Sequence, residues 1–429
     1  MMRAAPYLGF GIALGVSGAL VAGVVSAATP GGSQGLSLYK AVFEKALDNY
    51  VEAPDTEKMT AGAINGMLAS LDPHSNYLDA KALKDFQTNM KGEEFGGLGL
   101  EVMQDNGLVR VVSPIDDTPA ARVGVLAGDL IVKIDSAAVK GMTLKEAVDK
   151  MRGPAKTHVA ITVQRGDLKD TKVFDIVREI IHVQPVRSRI EGGDIGYIRI
   201  TQFNEQTYDA LKAAIAKLRT SAPKIHGYVL DLRNNPGGLL SQSIRVVNSF
   251  IDNGEIVSTR GRTQDLYQEY SARPGYNLSE GKPLVVLING GSASASEIVS
   301  GALQDLKRAT LIGTRSFGKG SVQTVLPLGD DGALKLTTAR YYTPSGRSIQ
   351  AKGIEPDFKV LENIPDDLKG KVESLGEASL QGHLKNGEEK NGSDAYVPPD
   401  PNKDTQLAAA VQLLHGKPPL IKASNDPAN

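Results

Sequence analysis

The stretch Gly227-Tyr228-Val229-Leu230-Asp231-Leu232, followed at once by Arg233-Asn234-Asn235-Pro236-Gly237-Gly238, decides how the chain is read. A short, largely apolar run bounded by a turn is the pattern of a strand buried on both faces. Proline and two glycines directly after it make a tight turn whose N–H groups can converge on a cleft and on a developing oxyanion. An ordinary strand-to-helix turn uses the same residues, so the motif alone leaves both readings open. Outward from it, Ile195–Ile200 reads as a strand before a helix from Thr207 to Arg219, and Leu284–Ile288 as a strand before a helix from Glu297 to Leu306. This alternation, from about residue 195 to 328, predicts a mostly parallel, helix-covered α/β sheet. Such sheets place their sites beyond the carboxyl ends of the strands.

Two further turns fall at such ends. Asn289-Gly290-Gly291-Ser292-Ala293-Ser294-Ala295-Ser296-Glu297 puts serines, spaced by alanines, before a helix N-terminus, which favours negative charge on an attacked carbonyl. Helix capping by Ser294 or Ser296 is the plainer reading. No Gly-x-Ser-x-Gly elbow is present. Gly313-Thr314-Arg315-Ser316-Phe317-Gly318-Lys319-Gly320-Ser321 nearly fits a phosphate loop, but Gly320 stands where the magnesium-binding hydroxyl belongs. The residues after it alternate as a strand, whereas a phosphate loop opens a helix. A serine nucleophile needs a base. Of six histidines, His158, His383 and His415 lie in the barrel or beside the polar tail, and His74, His182 and His226 sit in no comparable turn, though a spatial triad stays open. A lysine serves instead when burial lowers its proton affinity, and Lys319 lies between two glycines that permit close approach.

The 429 residues carry 48 basic and 49 acidic side chains, and this balance argues against nucleic-acid binding through a broad basic face. Cysteine is absent, which excludes disulfides, thiolate metal sites and a cysteine nucleophile. Residues 1–28 read as a signal peptide or a membrane anchor: Arg3, an apolar run from Ala4, and cleavage endings at Val25-Ser26-Ala27 or Ser26-Ala27-Ala28. Pro30-Gly31-Gly32-Ser33 reads as a flexible joint opening an N-terminal helical segment, 29–91, which holds two helices and the stop Leu71-Asp72-Pro73-His74-Ser75. Residues 92–177 change to short strands and glycines, with Leu98-Gly99-Leu100 before a strand and two short helices. A core over 178–360 follows, then a tail over 361–429 with a flexible linker at 382–400 and a helical patch from Thr405 to His415.

The order of elements in 92–177 resembles a PDZ domain. The motifs 231–238, 292–297 and 317–323 behind it together resemble the carboxy-terminal processing (tail-specific) serine peptidases of the S41 type, over roughly residues 36–360. The resemblance implies an α+β and α/β multidomain chain: a crotonase/ClpP-like sheet-and-helix peptidase core with an inserted PDZ-like barrel. It implies Ser294 as nucleophile, Lys319 as general base, Gln323 as the residue orienting the lysine, and the amides of Gly237 and Ala295 as oxyanion hole, with Gly238 as the alternative to Gly237. No metal or other cofactor is implied. Leu98, Gly99 and Leu100 would bind a substrate C-terminus, and Arg152 would link that domain to regulation. The expectation is an exported, periplasmic endopeptidase acting on proteins with free C-termini. An adaptor, inner-membrane anchoring, and a homodimer or higher homo-oligomer built from the early helices and the Thr405 patch remain open. The alternative is an inactive PDZ scaffold of the envelope.

Overall fold

The computed structural model describes residues 30–418, apart from 93–94, 106, 116, 166–170, 182–183, 370–371 and 399. The expected signal or anchor therefore lies outside the described residues. Among those described, no helix is long and apolar enough to cross a membrane. The chain divides into two compact units, 1–62 and 63–429.

The first unit contains the helix Pro30–Asn49 and the opening turns of Thr56–Ala69. Pro30-Gly31-Gly32-Ser33, expected as a flexible joint, is the first turn of that long helix, where proline's missing N–H has no partner to lose. Leu36, Leu38, Tyr39 and Val42 stay exposed along it.

The second unit is built on a six-stranded sheet in the order Val186–Glu191, Ile195–Ile200, Gly227–Asp231, Leu284–Ile288, Thr310–Gly313, Phe358–Lys359. All neighbours pair in parallel except the first, an antiparallel edge. Every residue of Gly227–Asp231 and Leu284–Ile288 is buried, as their unbroken apolar runs require. One face packs on the helices Thr207–Ser221, Leu240–Asn248 and Ala295–Asp305. The other packs on Thr405–Leu414 through Leu407, Ala409, Ala410 and Leu414. The patch considered for dimer exchange thus covers its own sheet, because a parallel sheet needs both faces covered. A second, five-stranded sheet joins Asn76–Leu78, Glu255–Gly261, Gln268–Ser271, Ser321–Pro327 and Ala333–Tyr342.

The stretch expected as a flexible linker, 382–400, is held down. Asp394 O accepts from Gly290 N at 2.9 Å and from Thr314 Oγ1 at 2.6 Å, and Lys390 N donates to Ala351 O at 3.0 Å. On the side of this stretch backbone groups make these ties, so a polar composition conceals them.

The strands Leu100–Asp105, Leu108–Pro114, Leu130–Ile134, Ala137–Ala138, His158–Gln164 and Thr171–Val177 form a separate sheet around its own apolar core. Its helix Leu144–Met151 starts with a capping box of Thr143 and Glu146. Among the described residues Leu100–Asp105 pairs only with Leu108–Pro114, which leaves it an edge strand of that sheet.

Candidate active site

The two glycine-bearing turns lock into each other through Asn235. Its Nδ2 donates to Ile200 O at 2.8 Å, and its carbonyl accepts from Ala293 N and from Ser296 Oγ, both at 2.9 Å. Ser292 Oγ donates to Leu232 O at 2.8 Å. Ser292 and Ser296 are thereby consumed as buried braces, which separates them from the half-buried Ser294 between them. Ser294 has φ 54° and ψ −111°, an unfavourable conformation for a non-glycine residue, of a kind that costs about 1–3 kcal/mol and collects at functional sites. Gly237, at φ +102°, lies against it: a Cβ there would meet Ala293 O at 2.7 Å and Ser294 Cβ at 2.8 Å. Only glycine fits both the angle and the space.

The oxyanion donors expected at Gly237 and Ala295 are therefore adjacent to Ser294, but they differ. Gly237 N–H is donated to the buried Asn235 Oδ1 at 2.9 Å, so it is already taken within the fold. No acceptor within the described residues takes the Ala295 N–H.

Lys319 sits in a loop whose backbone is held from three sides. Phe317 N donates to Ser292 O at 2.9 Å, Gly318 O accepts from Ala351 N at 2.8 Å, and Gly320 O accepts from Tyr341 N at 2.8 Å. Glu297 is the centre of this arrangement and was not singled out from sequence. Its Oε2 accepts from Ser294 N at 2.8 Å and Lys319 N at 2.9 Å, while Oε1 accepts from Gly318 N at 2.7 Å and Ser316 Oγ at 2.6 Å. One carboxylate thus joins the serine turn to the lysine loop. Burial pushes its carboxyl up to about 7 against the pull of those four donors. Burial also lowers the proton affinity of Lys319, opposed by the charges of Glu377, Glu101, Glu297 and Asp72. Lys335 nearby is lowered to about 8, by burial and then by Lys319.

No hydrogen bond joins Lys319 Nζ to Ser294 Oγ. Gln323 Nε2 donates to Ser321 Oγ at 2.9 Å and Thr337 Oγ1 at 3.2 Å, so its expected contact with the lysine is not made either. The turns that carry Ser294 and Lys319 are assembled; the contacts expected of the Lys319 side chain are not made.

Leu98 is buried in the separate sheet's core, and its carbonyl accepts from Ala120 N at 3.0 Å. Gly99 has φ +76°, and a Cβ there would lie 2.2 Å from Thr118 Cβ. Leu100 opens the edge strand. Along that strand Leu100 and Val102 pack inward, whereas Met103 packs with Ala293, Phe317 and Leu380 beside the serine turn. Ser113 Oγ donates to Asn234 O at 2.7 Å. Arg152 Nη1 lies 3.0 Å from Asp85 Oδ2, and Nη2 lies 3.4 Å from Asn89 Oδ1, on the helix Ala80–Lys91. The 92–177 segment is thus seated on the turns that carry Asn234, Ala293 and Phe317.

Comparison with known proteins agrees with this layout. The profile of peptidase family S41 matches residues 194–360, that of the PDZ domain matches 110–165, and that of the activating protease CtpB N-terminal domain matches 24–82. A carboxy-terminal-processing protease from Bartonella bacilliformis is 55% identical over 387 residues, covering 89% of this chain and 88% of that one. A probable CtpA-like serine protease from Staphylococcus aureus is 37% identical over 340 residues, covering 77% and 67%. A solved photosystem II D1 C-terminal processing protease superposes with a TM-score of 0.63 at 33% identity, over 79% of this chain and 90% of that one.

Proposed function

The chain belongs to peptidase family S41, as a carboxy-terminal processing serine endopeptidase with a PDZ domain, and from that premise we propose that Ser294 and Lys319 are its catalytic dyad. The observation that carries the assignment is Glu297, whose single buried carboxylate binds the backbone N–H of both residues. Neutral Lys319 takes the Ser294 Oγ proton as Oγ attacks the scissile carbonyl. The oxyanion rests on the Ala295 N–H and, once Asn235 releases it, the Gly237 N–H. Lys319 returns the proton to the leaving amine, and water then hydrolyses the acyl-serine through the same two steps. In the closed dyad Gln323 would exchange its hydroxyl partners for Lys319.

The arrangement fits a resting form. Met103 covers the serine turn, the Gly237 N–H is taken by Asn235 and the dyad is unclosed. A substrate C-terminus adding to the Leu100–Asp105 edge, with its carboxylate at the Leu98-Gly99-Leu100 loop, would re-seat the strand that carries Met103. Arg152 is the candidate link, because it ties this domain to the helix Ala80–Lys91. Export to the periplasm, with or without a retained anchor, rests on the apolar stretch up to residue 28. The exposed apolar residues of Pro30–Asn49 offer a surface for homo-oligomerisation or an adaptor.

The unclosed dyad also favours a second reading, an inactive PDZ scaffold. A fluorophosphonate probe and mass spectrometry of protein C-termini separate the two. We expect labelling at Ser294 and shortened C-termini, both lost in Ser294→Ala and Lys319→Ala variants that keep the wild-type melting temperature. Undiminished cleavage by Ser294→Ala would falsify the dyad, and an unlabelled, silent wild type favours the scaffold.

A further inference from the structure

The stop Leu71-Asp72-Pro73-His74-Ser75 does more than end a helix. Asp72 turns the chain by accepting from His74 N at 2.8 Å and Ser75 N at 3.0 Å, and it accepts from Thr337 Oγ1 at 3.0 Å. Thr337 in turn receives Gln323, so one arm of this turn reaches the residue expected to orient the base. The other arm is His74. Its Nε2 lies 2.9 Å from both carboxylate oxygens of Glu377, a residue 1% exposed in the tail. Glu377 brackets the lysine loop. Its N–H donates to Phe317 O at 2.9 Å, and its Oε1 accepts from Gln350 Nε2 at 2.9 Å, while Gln350 Oε1 accepts from Gly320 N at 3.1 Å.

The two charges are unequal. Burial keeps the His74 imidazole below its ordinary value and therefore neutral, so Nε2–H is the donor. Burial pushes the Glu377 carboxyl up, but it is held below its ordinary value, as an anion, and with His74 neutral the hydrogen bonds from His74 Nε2 and Gln350 Nε2 are what hold it there. A buried anion held by a neutral imidazole, beside a lysine that becomes cationic during the reaction, has the arrangement of a counter-charge.

We propose that His74 and Glu377 are the positioning pair of the general base: Glu377 supplies the negative charge that receives the Lys319 ammonium when Ser294 gives up its proton, and His74 holds that carboxylate in place. This rests on the dyad reading and assigns it a charge partner from outside the 194–360 peptidase match. Lys319 also faces Glu101, Glu297 and Asp72, with Lys335 as a neighbouring cation. Glu377 raises the proton affinity of Lys319, so removing its charge frees the base at lower pH while leaving the ammonium formed in the reaction without its partner.

The experiment is the pH dependence of kcat and kcat/KM for the full chain and for Glu377→Gln, Glu377→Asp and His74→Lys, with Ser294→Ala as the blank. Glu377→Gln is expected to lower plateau kcat by about tenfold or more and to move the acid limb to lower pH. Glu377→Asp retains the charge and keeps the limb where the wild type has it. His74→Lys keeps a donor but cancels the charge, so its limb moves as in Glu377→Gln; it carries the test if Glu377→Gln does not fold. Limbs that coincide in all active variants, with only melting temperature or amplitude reduced, overturn the pair and leave the dyad standing. A wild type without Ser294-dependent turnover overturns the dyad, and the pair with it.

Discussion

The tail and the PDZ domain both close on the turns 231–238 and 289–297, and they do so with opposite chemistry. The tail uses buried charge. Arg233, 1% exposed, donates to Asp231, to both carboxylate oxygens of Asp404 at 2.9 and 2.6 Å, and to Gln406 Oε1 at 3.0 Å, with Glu362 at 3.4 Å. The PDZ side uses an apolar contact from Met103 and Val112, the Ser113 hydroxyl on Asn234 O, and ion pairs at its margin such as Arg187–Asp117 and Arg152–Asp85. Marginal pairs contribute at most about 1 kcal/mol. Breaking a buried, hydrogen-bonded network costs several times that, because the partners left behind are unpaired charges. The tail is therefore bound into the peptidase core, while the weaker seat of the PDZ domain suits the proposed role of a cover that a peptide lifts.

The largest effect tests the tail side. Arg233→Met strips the cation from Asp231, Asp404 and Glu362, and it should destabilise by about 3–5 kcal/mol, with the helix Thr405–Leu414 becoming sensitive to protease. Thermal and chemical denaturation read this; a loss below about 1 kcal/mol would make the tail as removable as the PDZ domain. The tie between the two turns comes next. Glu297→Gln puts an amide N–H against backbone donors, and each clash costs about 1–3 kcal/mol, so kcat should fall on the order of 100-fold. This residue also sets a pH signature. Its raised value means that the native state keeps a proton the unfolded chain gives up, so this group's contribution to stability falls as pH rises from 4.5 to about 7 and is constant above. Melting temperatures across that window should slope downward in the wild type and flatten in Glu297→Gln.

What was legible in the sequence follows the range of the forces involved. Turns 231–238 and 289–297 are local, so apolar runs, glycines and small residues reveal them without partners. The expected positions of Ser294, Lys319 and Gly237 come together because the parallel sheet delivers all three turns to one edge. Hydrogen bonds between distant side chains leave no such trace. His74 and Glu377 lie 303 residues apart, and neither the proline stop nor the polar tail announces the other. The direction of the Gly237 N–H depends on the Asn235 side chain, a rotamer choice that no residue pattern encodes. The signal that could have found Glu297 was present: an acid three residues after a serine at a helix start is a capping-box pattern, and its second role in binding the lysine loop needs the fold.

Met103 tests the cover itself. Replacing it with alanine removes part of an apolar contact on Ala293 and Phe317 that stabilises the closed seat by about 1.5–3 kcal/mol when buried. Since the contact exists only while the cover is down, its loss shifts population toward the open form, and turnover without activating peptide should rise about tenfold. A drop in basal turnover would instead place Met103 in the peptidase core.

Arg152 should give the smallest effect, and the geometry says why. Asp85 is about one-third exposed, at 35%, and the second contact, to Asn89, is long at 3.4 Å, so solvent and salt weaken the pair. Arg152→Ala is expected to change the ratio of peptide-stimulated to basal turnover by less than about fivefold, and Asp85→Asn by a similar factor. If the two act through one seat of the PDZ domain on the helix Ala80–Lys91, the double variant shows no more than either single one. Additive effects, or unchanged turnover in both, would detach Arg152 from gating and leave the cover resting on its remaining contacts, Met103, Val112, Ser113 and Arg187–Asp117 among them.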